Sequence, residues 1–167
     1  VRPLAAHEWE LYRALRLRAL ADAPEAFGMT LSEVVQRTEN DWAWILNLGT
    51  TSGCDLPLLA EISGSAAGMA WAKLDAGDAS LVNLFQMWVA PEARGHGVAA
   101  AILEAAITWA RSRNARTMQL GVVCGNDAAR RLYERAGFHA VGAPGPQRPG
   151  SSRMEQTMQL DLAREDA

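Results

Sequence analysis

Cysteine is scarce: Cys54 and Cys124 are the only two in 167 residues. Two thiols make a poor disulfide framework for a chain of this length, so reduced cysteines in a cytoplasmic protein are expected. Long hydrophobic runs are also missing, and none approaches the ~20 residues needed to span a bilayer. The start lacks the charged-then-apolar pattern of a secretory leader. The chain opens at Val1, not Met, so a few native residues could precede it. Excess positive charge is absent as well. A formal net charge of −3 gives no general attraction to nucleic acid or to an anionic membrane, although a local basic cluster can still hold a phosphate. No metal site is expected.

What is present suits a folded chain. Apolar residues make up 49% and charged residues 21%, the balance of a globular protein. The length suits one domain over residues 1–167. Val1–Leu4 reads as a short strand closed by Pro3. Glu8–Ala21 is helical, with Leu11, Leu15 and Ala19 on one face and Glu10, Arg13 and Arg16 elsewhere. Ser32 is placed to cap a short helix through Arg37, and Asn40–Leu48 reads as another helix before a turn-rich break at Gly49–Gly53. Leu56–Ile62 and Ala67–Leu74 form a hairpin across Ser63-Gly64-Ser65. Ser80–Val89 is a longer strand ending at Pro91.

A long helix follows, about Gly97–Arg113, with Val98, Ile102, Ala105, Ala106 and Trp109 as its apolar face. Thr117–Val123 is a strand, Asp127–Ala136 a helix ended by Gly137, and His139–Val141 a short strand. Ala143–Ser152 reads as a loop. Met154–Leu162 closes the sheet, with Met154, Gln156, Met158, Leu160 and Leu162 on one face. Tight turns imply antiparallel pairing early in the chain. The two strands joined through the long helix can be parallel neighbours.

The most informative segment is Arg94-Gly95-His96-Gly97-Val98-Ala99, between a strand and that long helix. A helix start leaves amides without intrahelical partners, and its dipole favours an anion. Glycines let the backbone turn tightly and approach the anion closely, and Arg94 can add a charge-assisted bond. The segment suits a pyrophosphate. It is not a P-loop, because Val98-Ala99 stands where Lys-Ser/Thr is required. It is not a dinucleotide fingerprint either, since the early strand and third glycine are missing.

Met87-Trp88-Val89-Ala90-Pro91 followed by Arg94–Ala99 resembles motif A of the GNAT superfamily of N-acetyltransferases. A second block fits the same superfamily: Asn126, Ala129, Tyr133, Gly137 and Phe138 match its N-x-x-A-x-x-x-Y-x-x-x-G-F pattern. The resemblance is strong over Ser80–Phe138. It implies an α/β (α+β) fold with a mixed, mostly antiparallel central sheet flanked by helices, and a splayed pair of parallel strands forming an acyl-CoA cleft. It implies acetyl-CoA as acyl donor, held by Met87, Trp88, Val89, Arg94, Gly95, His96, Gly97, Val98, Ala99, Ala100 and Asn126. Family members often carry a basic residue where Ala100 stands.

By the same resemblance, the Met87 amide faces the thioester carbonyl and Tyr133 is the general acid beside its sulfur. Asn126 either bonds the pantetheine or caps its helix. The acceptor is a primary amine of a small molecule or peptide, and a homodimer is compatible with the family. The base is not apparent, because Asn83 and Gly121 occupy the two positions where family members carry Glu. Glu61, Asp75 and His7 are candidates without a place. Phe27, Met29, Trp42 and Trp44 are candidates for an apolar acceptor wall or for core packing, and Arg148 and Arg153 for an anionic acceptor. His96 is expected to face solvent. The competing reading is an acyl-CoA-binding sensor without turnover, favoured by Asn83.

Overall fold

Secondary structure in the computed structural model, which describes residues 1–27 and 29–163, follows the hydrophobic periodicities with a few instructive departures. The elements are β1 (Arg2–Pro3), α1 (Trp9–Asp22), α2 (Leu31–Val34), α3 (Glu39–Thr51), β2 (Asp55–Ile62), β3 (Ser65–Leu74), β4 (Leu81–Val89), α4 (Val98–Ser112), β5 (Thr117–Val123), α5 (Asp127–Arg135), β6 (His139–Ala140), β7 (Gly145–Pro146) and β8 (Met154–Asp161). The strands form one sheet in the order β1-β2-β3-β4-β5-β8-β6, with β7 also pairing β8. All pairs are antiparallel except β4–β5. That exception follows from the α4 crossover, which returns the chain in the same direction.

Helix α4 packs against β2, β3 and β4. Its buried face is Val98, Ile102, Leu103, Ala106 and Ala110. Ala105 and Trp109, expected on that face, are only partly buried. On the other side, α1 contacts α2, α3, β3 and β4. Tyr12 is central there, edge-on to Trp42 at 5.7 Å and tilted against Trp71 at 5.6 Å.

Several expectations need correction. The N-cap of α2 is Thr30, not Ser32. Thr30 Oγ1 accepts the Glu33 amide, and the Glu33 carboxylate accepts the Thr30 amide in return, a reciprocal pairing that Ser32 is too late in the chain to make. Helix α3 runs through Gly49 to Thr51 where a break was expected. A glycine stands inside the helix there because the Trp71 ring occupies the space of a side chain: a Cβ would meet Trp71 Cζ2 at 2.3 Å. The loop after β6 contains β7, which pairs Gly145 with Glu155. In β8 and just after it, Met158, Leu160 and Leu162 are buried but Met154 is 40% exposed.

The largest departure is Arg16. Placed off the apolar face of α1 by periodicity, it is only 4% exposed.

Candidate functional site

Strands β4 and β5 pair only from Leu81 to Asn83 and from Thr117 to Gln119. Both then continue without each other, β4 to Val89 and β5 to Val123. Parting parallel strands leave one edge of each without a ladder partner, which opens a cleft and exposes backbone groups that can bond a ligand. Past the parting, β4 carries a bulge. The register of β3 and β4 slips between Met69 and Trp71, and Gln86 adopts φ 59°. The Gln86 side chain is held by the Tyr12 hydroxyl, which donates to its Oε1 at 2.9 Å.

The cleft has a volume of about 460 Å³. Asn83 to Met87 form one wall, and Gln119 to Val123 the other. Asn126, Ala129 and Tyr133 close it from α5, and Arg16, Phe27 and Met29 from the α1–α2 side. Gln147, Glu155 and Thr157 come from the C-terminal part of the chain.

The sequence-predicted residues divide into three groups. Met87, Asn126 and Tyr133 line the cleft. Asn126 is the N-cap of α5, its Oδ1 accepting the Ala129 amide at 3.2 Å, so it caps the helix while standing at the cleft wall. Tyr133 is 7% exposed and edge-on to Phe138 at 5.7 Å. Burial pushes its phenol up to about 12, so the hydroxyl remains a proton donor at neutral pH. Among the described residues that hydroxyl has no hydrogen-bond partner.

The second group is the loop. Gly95 and Gly97 have φ of 82° and 76°, left-handed geometry that glycine adopts without steric cost. Among the described residues, no backbone hydrogen bond is made by the amides of Gly95 through Ala100. These donors gather at the start of a 15-residue helix, the arrangement that favours an anion. Gly95, His96 and Ala100 are exposed, Ala99 is intermediate, and Val98 is buried as the first core residue of α4.

The third group turns away from the cleft. Trp88 is 4% exposed, and its Nε1 donates to Asp22 Oδ2 at 2.9 Å. Arg94 donates from Nη2 to the same Asp22 oxygen and from Nε to the Val89 carbonyl at 3.1 Å. Arg94 therefore fastens the loop to α1. The Trp88 indole and then Arg94 hold the Asp22 carboxyl below the usual carboxylate range.

None of the base candidates read from the sequence lies in the cleft. Glu61 pairs with Arg2 at the far edge of the sheet, and His7 is exposed in the turn before α1. Asp75 accepts the Asn83 amide at 2.9 Å and is not among the cleft walls. Trp42 is core, and Trp44 is 64% exposed. Arg148 and Arg153 pair with Glu33 and Glu25.

The acid that does reach the cleft is Glu155. In β8 it stands opposite Val123, while Gly121 stands opposite Thr157. Gly121, Val123 and Glu155 thus share one face of the sheet. Because Gly121 has no side chain, the Glu155 carboxylate lies over it: a Cβ on Gly121 would meet Glu155 Cδ and Oε2 at 2.8 Å. Burial raises the Glu155 pKa. The available signal in the sequence was the glycine itself, a vacancy in the middle of a β-strand.

Comparison with known proteins agrees with this geometry. The model of the Acetyltransferase (GNAT) family matches residues 15–138, most of the chain. The chain belongs to this family. Among curated relatives of this GNAT chain, the mycothiol acetyltransferase of Thermobispora bispora is 34% identical over 133 residues, covering 77% of this chain and 42% of the relative. The chain thus spans under half the length of that relative. Among solved structures, an acetyltransferase of the GNAT family from Streptococcus pneumoniae superposes with a TM-score of 0.80 at 23% identity, covering 97% of this chain and 98% of that one. YncA of Salmonella typhimurium, solved with its cofactor acetyl-CoA, gives 0.78 at 23% identity over 99% of this chain and 95% of its own. These superpositions establish that the GNAT fold extends over both flanks of the matched segment.

Among the described residues no cluster of His, Cys, Asp or Glu has the composition of a metal site, and no helix is long and apolar enough to cross a membrane.

Proposed function

We propose that this chain transfers an acetyl group from acetyl-CoA to a primary amine of a small molecule by direct attack, within one domain spanning residues 1–167. The observation carrying the reading is the cleft between the parted strands, into which Tyr133 and Glu155 both project. Beyond the end of β4, the amides of Gly95 through Ala100 make no backbone hydrogen bond among the described residues. Family membership and the acetyl-CoA-bound neighbour support the donor, and the name of the curated relatives supports a small acceptor.

In this reading the Gly95–Ala100 amides hold the pyrophosphate. The unpaired edge of β4 at Met87 to Val89 bonds the pantetheine arm as an added strand would. Trp88 contributes backbone only, and Arg94 positions the loop. The acceptor arrives as an ammonium, since a primary amine has a pKa near ~10. Glu155 takes its proton. The free amine then attacks the thioester carbon, and the Met87 amide stabilises the oxyanion. When the carbon–sulfur bond breaks, the Tyr133 hydroxyl protonates the departing thiolate. Tyr133 regains a proton from the nitrogen of the new amide. The raised pKa of Glu155 brings its basicity closer to what accepting an amine proton requires.

Asn83 loses its significance as evidence for a sensor without turnover, because a carboxylate enters the cleft from another strand. Two measurements test the reading. Acetyl-CoA at 100 times its dissociation constant should stabilise the fold by about 2.7 kcal/mol, and primary amines should then release CoA thiol. Binding without amine-dependent release points to the sensor.

A further inference from the structure

Among the described residues, Arg16 is a buried cation without an anion. Among the described residues it makes no ion pair and no hydrogen bond, and its Nη1 is buried with no partner. The side chain is 4% exposed, with the guanidinium carbon 4.8 Å from the centre of the Phe27 ring. Arg37 is a second cation near it and adds to the cost. Desolvation lowers the Arg16 pKa, yet a guanidinium keeps its proton in a protein. Burying such a charge unpaired is unfavourable unless something in the functioning complex pairs with it.

The surroundings indicate what that partner is. Arg16, Phe27 and Met29 form one wall of the same cleft that holds Glu155 and Tyr133. None of the residues of the Gly95–Ala100 loop, which this reading gives to the donor's pyrophosphate, is among those lining the cleft beside Arg16. The positive charge therefore stands in the same cleft as Glu155 and Tyr133. A guanidinium offers donors in a planar fork that matches a carboxylate, and the Phe27 ring beneath it restrains its position.

We propose that Arg16 binds a carboxylate on the acceptor, so that the substrate is an amine also carrying a carboxyl group, the chemical class of free amino acids. The inference rests on the acetyl-transfer reading above. Glu155 receives the proton of the ammonium end and Arg16 holds the carboxylate end. An acceptor lacking the carboxylate leaves the guanidinium unpaired in the closed complex, a loss that appears in KM. Arg16 is a specificity residue in this account and takes no part in the bond changes.

The test uses matched acceptors: the standard L-amino acids and their C-terminal amides, which present the same amine without the carboxylate. Thiol release is measured at saturating acetyl-CoA for the parent, Arg16→Met and Arg16→Lys. The parent should prefer the acid form of its best acceptor by at least about tenfold in kcat/KM, mainly through KM. That ratio should collapse in Arg16→Met and be partly retained in Arg16→Lys. Equal use of acid and amide, or a ratio that survives in Arg16→Met, overturns the inference. If Arg16→Met does not fold, the acid-to-amide ratio of the parent is sufficient by itself. Turnover of amines regardless of a carboxylate removes this inference and leaves acetyl transfer standing. Binding of acetyl-CoA with no thiol release from any amine removes both.

Discussion

The Glu155 carboxylate occupies the space that a side chain on Gly121 would fill, with Glu155 Cδ 2.8 Å from where the Gly121 Cβ would lie. The glycine on β5 and the acid on β8 are two halves of one arrangement. If Glu155 is the base, Glu155→Gln should lower kcat by about 10²-fold or more, the usual scale for a lost acid–base group, with acetyl-CoA affinity unchanged. Gly121→Ala should act through the same group. Its methyl displaces the flexible end of Glu155, so activity falls while the melting temperature changes little. Unchanged kcat in Glu155→Gln removes the assignment.

The same residue predicts a pH dependence. Burial raises the Glu155 pKa in the folded state, so the folded chain holds that proton more tightly than the unfolded chain. The linked stability is greatest below the ordinary carboxyl value and declines as pH rises from there through the raised value. Glu155→Gln should flatten that decline in a thermal-melt series. In kcat/KM the parent should show an acid limb positioned above the ordinary carboxyl pKa, and the variant should lack it. An identical limb in both proteins assigns it to another group.

Tyr133 tests the other end of the reaction. Its hydroxyl has no partner among the described residues, and its pKa is pushed up to about 12. Tyr133→Phe should leave stability and acetyl-CoA binding nearly intact while lowering kcat at least about tenfold, even with chemistry only partly rate-limiting. Because the phenol stays protonated at neutral pH, the variant should keep the acid limb of the parent. Full activity in Tyr133→Phe would leave protonation of the thiolate to water.

The pyrophosphate cradle is tested by an isosteric pair. Asn and Asp both tolerate the left-handed geometry of Gly97 better than other side chains, so Gly97→Asn and Gly97→Asp differ mainly in charge. A negative charge ~4 Å from the pyrophosphate costs about 1–4 kcal/mol at effective dielectrics of 80 to 20. Calorimetry with acetyl-CoA should show Gly97→Asp binding at least about tenfold more weakly than Gly97→Asn. Equal affinities would place the phosphates elsewhere.

Gly49 supports a prediction about stability alone. Alanine has the better helix propensity by about 1 kcal/mol, but its methyl would overlap the Trp71 ring at 2.3 Å. That ring cannot easily yield, because Trp71 Nε1 donates to Asp55 at 2.8 Å and the indole packs on Tyr12. Overpacking of this kind costs about 1–3 kcal/mol and should prevail. Gly49→Ala should melt several degrees below the parent, and an equal or higher midpoint means that α3 and Trp71 can separate freely.

The sequence was most informative where the chemistry is local. The turn at Gly95 and Gly97 and the start of α4 lie within a few neighbouring residues, so that local geometry could be read directly, as could the helix that begins after Asn126. The parallel β4–β5 pair followed from the α4 crossover. Glu155 could not be read this way, because it reaches the cleft by standing beside Gly121 across a strand pair, and no spacing along the chain encodes that neighbour. Arg16 was hidden for a different reason. The stripe of Leu11, Leu15 and Ala19 gives α1 a single buried face, whereas α1 also has the cleft beside it and buries Tyr12, Arg16 and Leu20.

The most direct test of the account is amine-dependent release of CoA thiol from acetyl-CoA, measured side by side for the parent, Tyr133→Phe and Glu155→Gln, with acetyl-CoA affinity measured on the same samples. The account predicts three similar affinities, thiol release in the parent only when a suitable amine is present, and large losses of kcat in both variants. Tight binding of acetyl-CoA with no amine-dependent release from the parent, across free amino acids, polyamines and other primary amines, would contradict it.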